Sequence, residues 1–188
     1  MFYNIPMKLN AKQLRSLKKV DISHDLDRNP IYFILEDVLD TYNIGGIFRL
    51  ADALLVKKIY LCGQTETPPN SRILKASVCT YKVVPWEYKK TAKQAIKDLK
   101  NVTSYTLHVP FIVAVEQDKH SIDYTKAKYK FPIALIFGNE TYGVKKETLR
   151  LADQIIEIPM WGMNKSLNVI VSAAITSYWI VNNNKQIK

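Results

Sequence analysis

The chain has 188 residues, and its 27 Lys and Arg against 17 Asp and Glu give a formal net charge of +10. This length fits one domain with a substantial core, and the basic surface suits a polyanion such as nucleic acid as well as it suits plain solvation. Cys62 and Cys79 lack a metal-binding spacing, so we expect reduced, partly buried thiols and no metal. Without a signal-peptide core or an apolar run of 18 residues, the chain is predicted to be soluble, cytoplasmic and free of membrane contacts.

Apolar runs of strand length alternate with stretches of helical spacing along most of the chain. The runs IYFIL, FIVAV and IALIF are typical of strands that are covered on both faces. We predict strands at 31–35, 58–61, 82–84, 111–115, 133–137 and 155–158, and helices at 11–19, 44–53, 73–77, 91–99, 147–151 and 169–180. This alternation predicts an α/β fold with a mostly parallel sheet flanked by helices.

The first polar interruption of this scaffold is DTYNIGGIFRLADA at 40–53. Asn43 is a candidate cap for the helix, and Gly45 and Gly46 would leave its first turn bare. Arg49 follows Asn43 by six residues, which places the two about 120° apart on a helix, so both could border one cavity from different sides. A simple ion pair of Arg49 with Asp52 is an equally open interpretation.

The second interruption is IFGNETYGV at 136–144, where an apolar strand ends in Gly138, Asn139 and Glu140. Gly143 permits a sharp return of the chain, and bare backbone beside a carboxylate could cradle a small molecule. A tight turn capped by Asn139 is the open alternative. The phosphate-binding patterns GxGxxG and GxxxxGK[ST] are absent, which disfavours ordinary dinucleotide-binding and P-loop folds.

The third interruption opens the stretch IPMWGMNKSLNVIVSAAITSYWI at 158–180, around which the chain is organised. Ser166 stands before a nearly all-apolar helix that must be buried, and it is the expected cap of that helix. Capping of a core helix is the simple interpretation of Ser166. Asn164, Lys165 and Asn168 nevertheless place further polar groups at the edge of a core, where a site is expected.

In this order, NIGGIFRLADA, IFGNETYGV and IPMWGMNKSLNV resemble the three motifs of the SpoU (TrmH-like) branch of the SPOUT methyltransferase superfamily, and the similarity covers about 31–180. The resemblance implies S-adenosyl-L-methionine as cofactor, transfer of its methyl group to an RNA ribose 2′-hydroxyl, a C-terminal deep trefoil knot, a homodimer and no metal. The similarity to enzymes of the tRNA D-loop favours tRNA guanosine. Ribosomal RNA, base modification, or an inactive knotted RNA-binding protein are the alternatives.

The resemblance also carries site residues over, motif by motif. Arg49 is expected to clamp a phosphate and to stabilise the forming alkoxide, because an always-protonated guanidinium makes a poor base. Ser166 and Asn168 would orient the ribose, Glu140 would fix a loop or the Arg, and Asn43 completes the catalytic set. The residues implied in cofactor binding are Phe137, Gly138, Asn139, Gly143, Ile158, Met160, Ser166 and Leu167.

The resemblance divides the chain into a basic helical extension at 1–30 and a methyltransferase domain at 31–188, with no separate RNA-recognition domain. We therefore expect RNA to contact basic residues scattered over the chain, namely Arg15, Lys18, Lys19, Lys57, Arg72, Lys89 and Lys90. One position departs from the motifs, since Ile170 stands where relatives often have Ser. Because Ile170 falls inside the last helix, we expect a change in packing there.

Overall fold

Seven parallel strands form one sheet in the computed structural model, which describes residues 8, 10–16, 27–102 and 109–184. The strands are β1 (Asn29–Glu36), β2 (Val56–Cys62), β3 (Trp86–Lys89), β4 (Phe111–Val115), β5 (Ile122–Asp123), β6 (Ile133–Phe137) and β7 (Gln154–Glu157). Their order across the sheet is β3-β2-β1-β6-β4-β7-β5. All pairings between them are parallel, as expected from the apolar runs.

Helices cover both faces of this sheet, which confirms the predicted α/β fold. They are α1 (Ala11–Ser16), α2 (Thr41–Ala53), α3 (Ser71–Ser77), α4 (Ala92–Val102), α5 (Lys146–Leu149) and α6 (Val169–Asn182). Alternate strand residues face opposite sides, so Phe33 packs in the core under α2, α3 and α6, while Ile34 packs in the core under α4 and α5. Within the described part of the chain, no helix has the length and apolar character needed to cross a membrane.

The strand predicted at 82–84 is wrong, because the chain forms a 3₁₀ turn at Thr80–Lys82 and pairs later, in β3. The backbone N–H groups of Val83 and Val84 both donate to the Thr80 carbonyl oxygen instead of to a neighbouring strand. Val84 is buried in the core all the same. Its apolar character therefore reflects packing of a turn, which periodicity alone does not distinguish from a buried strand.

Both predicted helix caps are also wrong. Asp40, and not Asn43, caps α2 by accepting a hydrogen bond from the Tyr42 backbone N–H, with 2.8 Å between nitrogen and Oδ1. Asn168, and not Ser166, caps α6 by accepting from the Ile170 backbone N–H at 2.9 Å. Several polar residues precede each helix, and the direction from which the chain enters decides which of them caps.

The two glycines of α2 are covered by neighbouring helices and do not leave a bare surface. A Cβ atom on Gly45 would collide with the Cβ of Ala76 and with the backbone of Ser77 in α3. A Cβ on Gly46 would lie 3.2 Å from Cγ1 of Ile170 in the first turn of α6. Glycine thus lets three helices pack closely over the sheet, and Ile170 supplies the packing contact expected from its position.

Candidate functional site

The carboxyl ends of the strands carry the polar motifs, as is usual for ligand sites in parallel α/β sheets. After β6, Asn139 and Gly143 exchange two backbone hydrogen bonds of 3.1 and 2.9 Å, which close a tight loop. The Asn139 side chain donates to the Asp37 carbonyl oxygen at 2.8 Å and accepts from the backbone N–H groups of Thr141 and Tyr142. These bonds fix the loop at 138–143 against the end of β1.

A chain of three polar side chains joins the three sequence motifs. Asn168 donates its Nδ2–H to Oδ1 of Asn43 over 3.0 Å, and Asn43 donates its own Nδ2–H to Oε1 of Glu140 over 3.0 Å. Because each amide donates one hydrogen bond and accepts another, this series of hydrogen bonds fixes the orientation of all three side chains. The residues named as catalytic therefore include one connected network, Asn168–Asn43–Glu140.

The Glu140 carboxylate anchors this network to the start of α2. Its two oxygens also accept the backbone N–H groups of Leu39 and Asp40, at 3.2 and 3.1 Å. Burial acts to raise the pKa of Glu140, but the hydrogen bonds from Asn43 and from backbone N–H groups outweigh it, and the pKa lies below its ordinary value. Glu140 therefore serves as a charged anchor for the loop, consistent with the expectation that it fixes a loop.

A second carboxylate, which unlike Glu140 is buried, holds the other end of the loop. Glu36, only 3% exposed, accepts hydrogen bonds from the Lys145 backbone N–H and from the Thr148 hydroxyl, at 3.0 and 2.7 Å. The Lys145 ammonium lies 2.6 Å from a carboxylate oxygen of Asp37. The end of β1 is thus tied to α5 as firmly as it is tied to the loop at 138–143.

A cavity of about 280 Å³ opens beside these loops, close to the lower end of the roughly 300–1,000 Å³ typical of ligand pockets. It lies between the loop at 138–143 and the segment at 158–167 that follows β7. All eight residues that the sequence analysis named for the cofactor line this cavity: Phe137, Gly138, Asn139, Gly143, Ile158, Met160, Ser166 and Leu167. Ser166, which is free of the capping role, contributes an exposed hydroxyl to the wall.

Two glycines let the segments that form the cavity wall pack closely together. A Cβ on Gly138 would fall on the backbone of Gly143 and Val144, and a Cβ on Gly143 would fall on the Glu116 carboxylate. Gly143 also has a φ of +67°, in the left-handed region that favours glycine. Any side chain at these positions would displace the wall, so the motif requires glycine at both.

Sequence reasoning missed Glu116 and Gln117, which follow β4 and also line the cavity. Glu116 accepts the backbone N–H groups of Val144 and Gln117, each at 2.8 Å. The Gln117 side chain donates to the Lys165 carbonyl oxygen over 2.5 Å, which bridges the loop after β4 to the segment after β7. The available signal was the position of both residues directly after the apolar run FIVAV.

Arg49 does not line this cavity. It lies exposed on α2, about 9 Å further along the helix axis than Asn43, and it makes no hydrogen bond or ion pair with any described residue. Asp52 interacts instead with Arg28. The two residues expected to border one cavity are therefore separated, because Asn43 is buried and Arg49 lies on the surface.

The candidate RNA-binding residues are dispersed over the described surface. Arg72 and Lys90 are exposed at the carboxyl edge of β2 and β3, whereas Lys57 lies near the amino end of β2, and Arg15 is exposed on α1. Lys18 and Lys19 fall outside the described residues. Lys89 is ion-paired with Asp98 and Glu87, which raise the pKa of its ammonium group, so its charge is already matched.

Both cysteines are unpaired thiols, as the sequence predicted. Cys62 and Cys79 are buried free thiols, and burial raises the pKa of Cys62 to about 12. Within the residues that the structure describes, no group of three His, Cys, Asp or Glu side chains is arranged to hold a metal ion.

A parallel α/β sheet with a glycine-lined cavity outside the carboxyl ends of its strands defines a ligand-binding protein of the nucleotide- and cofactor-binding class. The sequence profile of the SpoU rRNA Methylase family matches residues 30–178, and the chain belongs to this family. The match confirms the resemblance recognised from the three motifs.

Relatives and a solved structure agree with this membership. The chain is 34% identical over 142 residues to the tRNA (guanosine(18)-2′-O)-methyltransferase of Thermus thermophilus, covering 76% of this chain and 69% of the relative. It is 28% identical over 167 residues to the 23S rRNA (guanosine-2′-O-)-methyltransferase RlmB of Vibrio parahaemolyticus, covering 88% and 65%. The crystal structure of an AdoMet-bound rRNA methyltransferase from Sinorhizobium meliloti superposes with a TM-score of 0.72 at 25% identity, covering 88% and 60%. The chain thus spans about two thirds of the lengths of these proteins.

Proposed function

We propose that this protein transfers a methyl group from S-adenosyl-L-methionine to a ribose 2′-hydroxyl of RNA, with a guanosine in the D-loop of tRNA as the favoured target. The observation that carries the proposal is the meeting of the second and third motifs at one cavity, to which the Asn168–Asn43–Glu140 hydrogen bonds tie the first motif. The relatives named as guanosine 2′-O-methyltransferases of tRNA and of 23S rRNA support the chemistry and leave ribosomal RNA as the second candidate substrate.

The cavity fits the cofactor. Its walls offer backbone amides and carbonyls around Ile158, Met160 and Leu167, and its glycines let the segments of the wall approach one another more closely than a Cβ would allow. Neutral backbone groups suit a nucleoside, while Glu116 lies on the wall as a carboxylate available to a cationic ligand. When bound, the cofactor supplies an electrophilic methyl group on a positively charged sulfur.

The side chains around the cavity position the RNA. Arg49, exposed and without a partner among the described residues, would bind the phosphate next to the target ribose and stabilise negative charge developing on the 2′-oxygen. Ser166 and Asn168 would orient the ribose, and the neighbouring phosphate would accept the hydroxyl proton. Asn43 and Glu140 hold Asn168 and the loop in place, so they act as positioning residues.

A homodimer would complete this site, because Arg49 lies outside the cavity of its own chain. Three large side chains next to the cavity support an interface: Tyr142, Trp161 and Met163 are 89%, 93% and 103% exposed. Large apolar side chains clustered on a surface commonly mark protein contacts. Sedimentation equilibrium tests the dimer, and a strictly monomeric active enzyme would refute it.

The remaining expectations follow the family resemblance. We propose that the segment after β7 threads a trefoil knot. The support is that α6, which follows β7 near one edge of the sheet, packs on α2, which follows β1 near the middle of the sheet. The basic segment at 1–30 would serve as an RNA-binding extension to the domain at 31–188. An enzyme acting on tRNA is expected in the cytoplasm.

The test uses labelled S-adenosyl-L-methionine with unmodified tRNA and, separately, unmodified ribosomal RNA, followed by nuclease mapping. Label on a tRNA ribose, resistant to alkaline hydrolysis, is the expected result, because a methylated 2′-oxygen cannot attack its phosphate. Label in ribosomal RNA alone keeps the reaction and changes the substrate. Label on a base would contradict the ribose assignment, and cofactor binding without transfer to either RNA would favour the inactive RNA-binding protein.

A further inference from the structure

A second cavity, of about 500 Å³, lies between the segment at 125–130 and the C-terminal end of α6. Its lining includes Lys128, Tyr129, Lys130, Trp179 and Asn183. Since α6 rises by about 1.5 Å per residue, Trp179 lies roughly 10 Å along the helix from Ser172, which lines the first cavity, and the C-terminal end of α6 lies roughly 20 Å from its cap, Asn168. The methyl-transfer site does not use any of these residues.

The rim of this second cavity is a stripe of lysines. Accessibility alternates along the segment, so that Lys126, Lys128 and Lys130 are exposed while Ala127 and Tyr129 are half-buried between them. Lys126 is loosely paired with Asp123 at 3.8 Å, but neither Lys128 nor Lys130 has a carboxylate partner among the described residues. The stripe therefore presents positive charge that the described part of the molecule leaves unneutralised.

The floor of the cavity is a rigid aromatic surface. The Tyr129 hydroxyl donates to the Tyr124 carbonyl oxygen over 2.6 Å, and the ring of Tyr124 meets the ring of Trp179 edge-on with 5.6 Å between centroids. Burial raises the pKa of Tyr129, so its hydroxyl remains a donor. Fixed rings can stack with a planar group without losing side-chain entropy on binding.

Polar groups at the end of α6 add hydrogen-bonding capacity. The Trp179 carbonyl oxygen accepts the backbone N–H and the Nδ2–H of Asn183, both at 3.0 Å, which fixes the Asn183 amide. The Oδ1 of Asn183 and the indole N–H of Trp179 make no hydrogen bond to any residue within the described ranges. One acceptor and one donor therefore remain for a ligand.

We propose that this second cavity binds a nucleotide of the RNA substrate remote from the methylated ribose, with Lys128 and Lys130 on the phosphates and the base against Tyr129 and Trp179. The proposal rests on the proposed function, since it assigns part of the substrate to a surface. Lysines beside aromatic faces suit a nucleic acid strand. A second copy of this chain, with a net charge of +10, would bring like charges together here.

The separation of the cavities sets the length of RNA that can occupy both. At about 3.4 Å per step along one strand of a duplex, a span of roughly 10–20 Å corresponds to about three to six nucleotides. An RNA that extends further than this from the target ribose reaches both cavities, whereas a shorter one occupies the first alone.

The experiment compares the full-length double variant Lys128→Glu/Lys130→Glu with the matched control Lys93→Glu/Lys97→Glu. The control reverses two exposed lysines on α4, on the opposite face of the sheet. For full-length tRNA, the first variant is expected to raise Kd and KM about tenfold, to keep kcat, and to lower the salt slope of log Kd by about 1.4–1.8, the value for two lost phosphate contacts. With a short RNA hairpin that cannot reach the second cavity, the two variants should behave alike.

Four further outcomes decide the proposal. Equal weakening by both double variants would show a general charge effect and overturn it, as would a change in oligomeric state without a change in RNA affinity. Photo-crosslinking of tRNA carrying 4-thiouridine to the peptide with Tyr129 or Trp179 would support it directly. If wild-type protein binds tRNA through these lysines but methylates no RNA, the proposed function fails and the remote site stands. Calorimetric titration with S-adenosyl-L-methionine verifies that both variants are folded.

Discussion

The two cavities differ in how their walls are made. The first cavity is lined by glycine and backbone groups of the loops after β4, β6 and β7, and hydrogen bonds of 2.8–3.0 Å hold these loops to one another, to the end of β1 and to α2. The second cavity combines lysines and aromatic rings from one continuous segment and one helix end. Short, partly buried hydrogen bonds are little screened by salt, whereas exposed lysines act through charge that salt screens strongly. We therefore expect binding in the first cavity to depend on shape and orientation, and binding in the second cavity to depend on electrostatic attraction.

The largest effect, on cofactor binding, is expected from Gly138→Ala, because the added methyl group changes the shape of the first cavity without changing its charge. The added Cβ collides with the backbone of Gly143 and Val144, so the wall must move and cofactor binding should fall below detection. Gly162→Ala is the control, because a Cβ there meets nothing within 4 Å. Calorimetric titration with S-adenosyl-L-methionine, together with thermal unfolding, measures both. Equal affinities for the two variants would contradict the role of Gly138.

Arg49→Ala is expected to lower turnover by about 100-fold to 1,000-fold, the usual loss when one charge-stabilising group is removed. Cofactor affinity should be unchanged, because Arg49 does not line the first cavity. Arg49→Lys should recover little, since an ammonium lacks the guanidinium fork. Arg150→Ala, at an exposed position after α5, controls for loss of positive charge. Unchanged turnover in Arg49→Ala would remove the central assignment.

Asn43→Ala should cost about 1–3 kcal/mol of unfolding free energy, because it removes the hydrogen bonds that join Asn43 to Asn168 and to Glu140. A double-mutant cycle with Asn168→Ala should show strong coupling, as expected for residues in one network. Asn164→Ala, which removes an exposed amide that bonds no described residue, should be close to neutral. Additive effects in the cycle would mean that the two amides do not act together.

The smallest effect is expected from Glu140→Gln, and it depends on pH. The pKa of Glu140 is lower in the folded protein than the ordinary 4.5, so the carboxylate stabilises the fold above that pH and loses its contribution as the pH falls through the folded value. Denaturant unfolding between pH 7 and pH 3 measures this. The free energy of unfolding should be larger for the wild type than for Glu140→Gln at neutral pH, and the two values should become equal in acid. Glu147→Gln, at an exposed site on α5, is the matched control for the loss of one carboxylate.

Strands that are buried on both faces were predictable from local pattern. The strands predicted at 111–115 and 133–137 coincide with β4 and β6. Continuous apolar stretches of this length are typical of strands that helices cover on both faces. The strand predicted at 82–84 was wrong because a buried turn can have the same apolar composition as a buried strand. The caps Asp40 and Asn168 could not be chosen among their polar neighbours without the path of the backbone.

The candidate site was predictable as a set of residues and not as an arrangement. All eight residues that the family resemblance implied in cofactor binding line the first cavity. They did not indicate that Asn43 is buried in a network while Arg49, six residues later, lies on the surface. Glu116 was missed because a carboxylate after a strand has no motif of its own.

Sequence by itself determined the apolar runs, the polar interruptions at strand ends and the glycines that the loops require. These are local properties, because periodicity and backbone freedom depend on residues only a few positions apart. The tertiary structure alone decided that β6 inserts between β1 and β4. It also decided that Asn43 meets Glu140 and Asn168, which are 97 and 125 positions away. Such contacts depend on how helices pack over both faces of the sheet, and no local pattern records that packing.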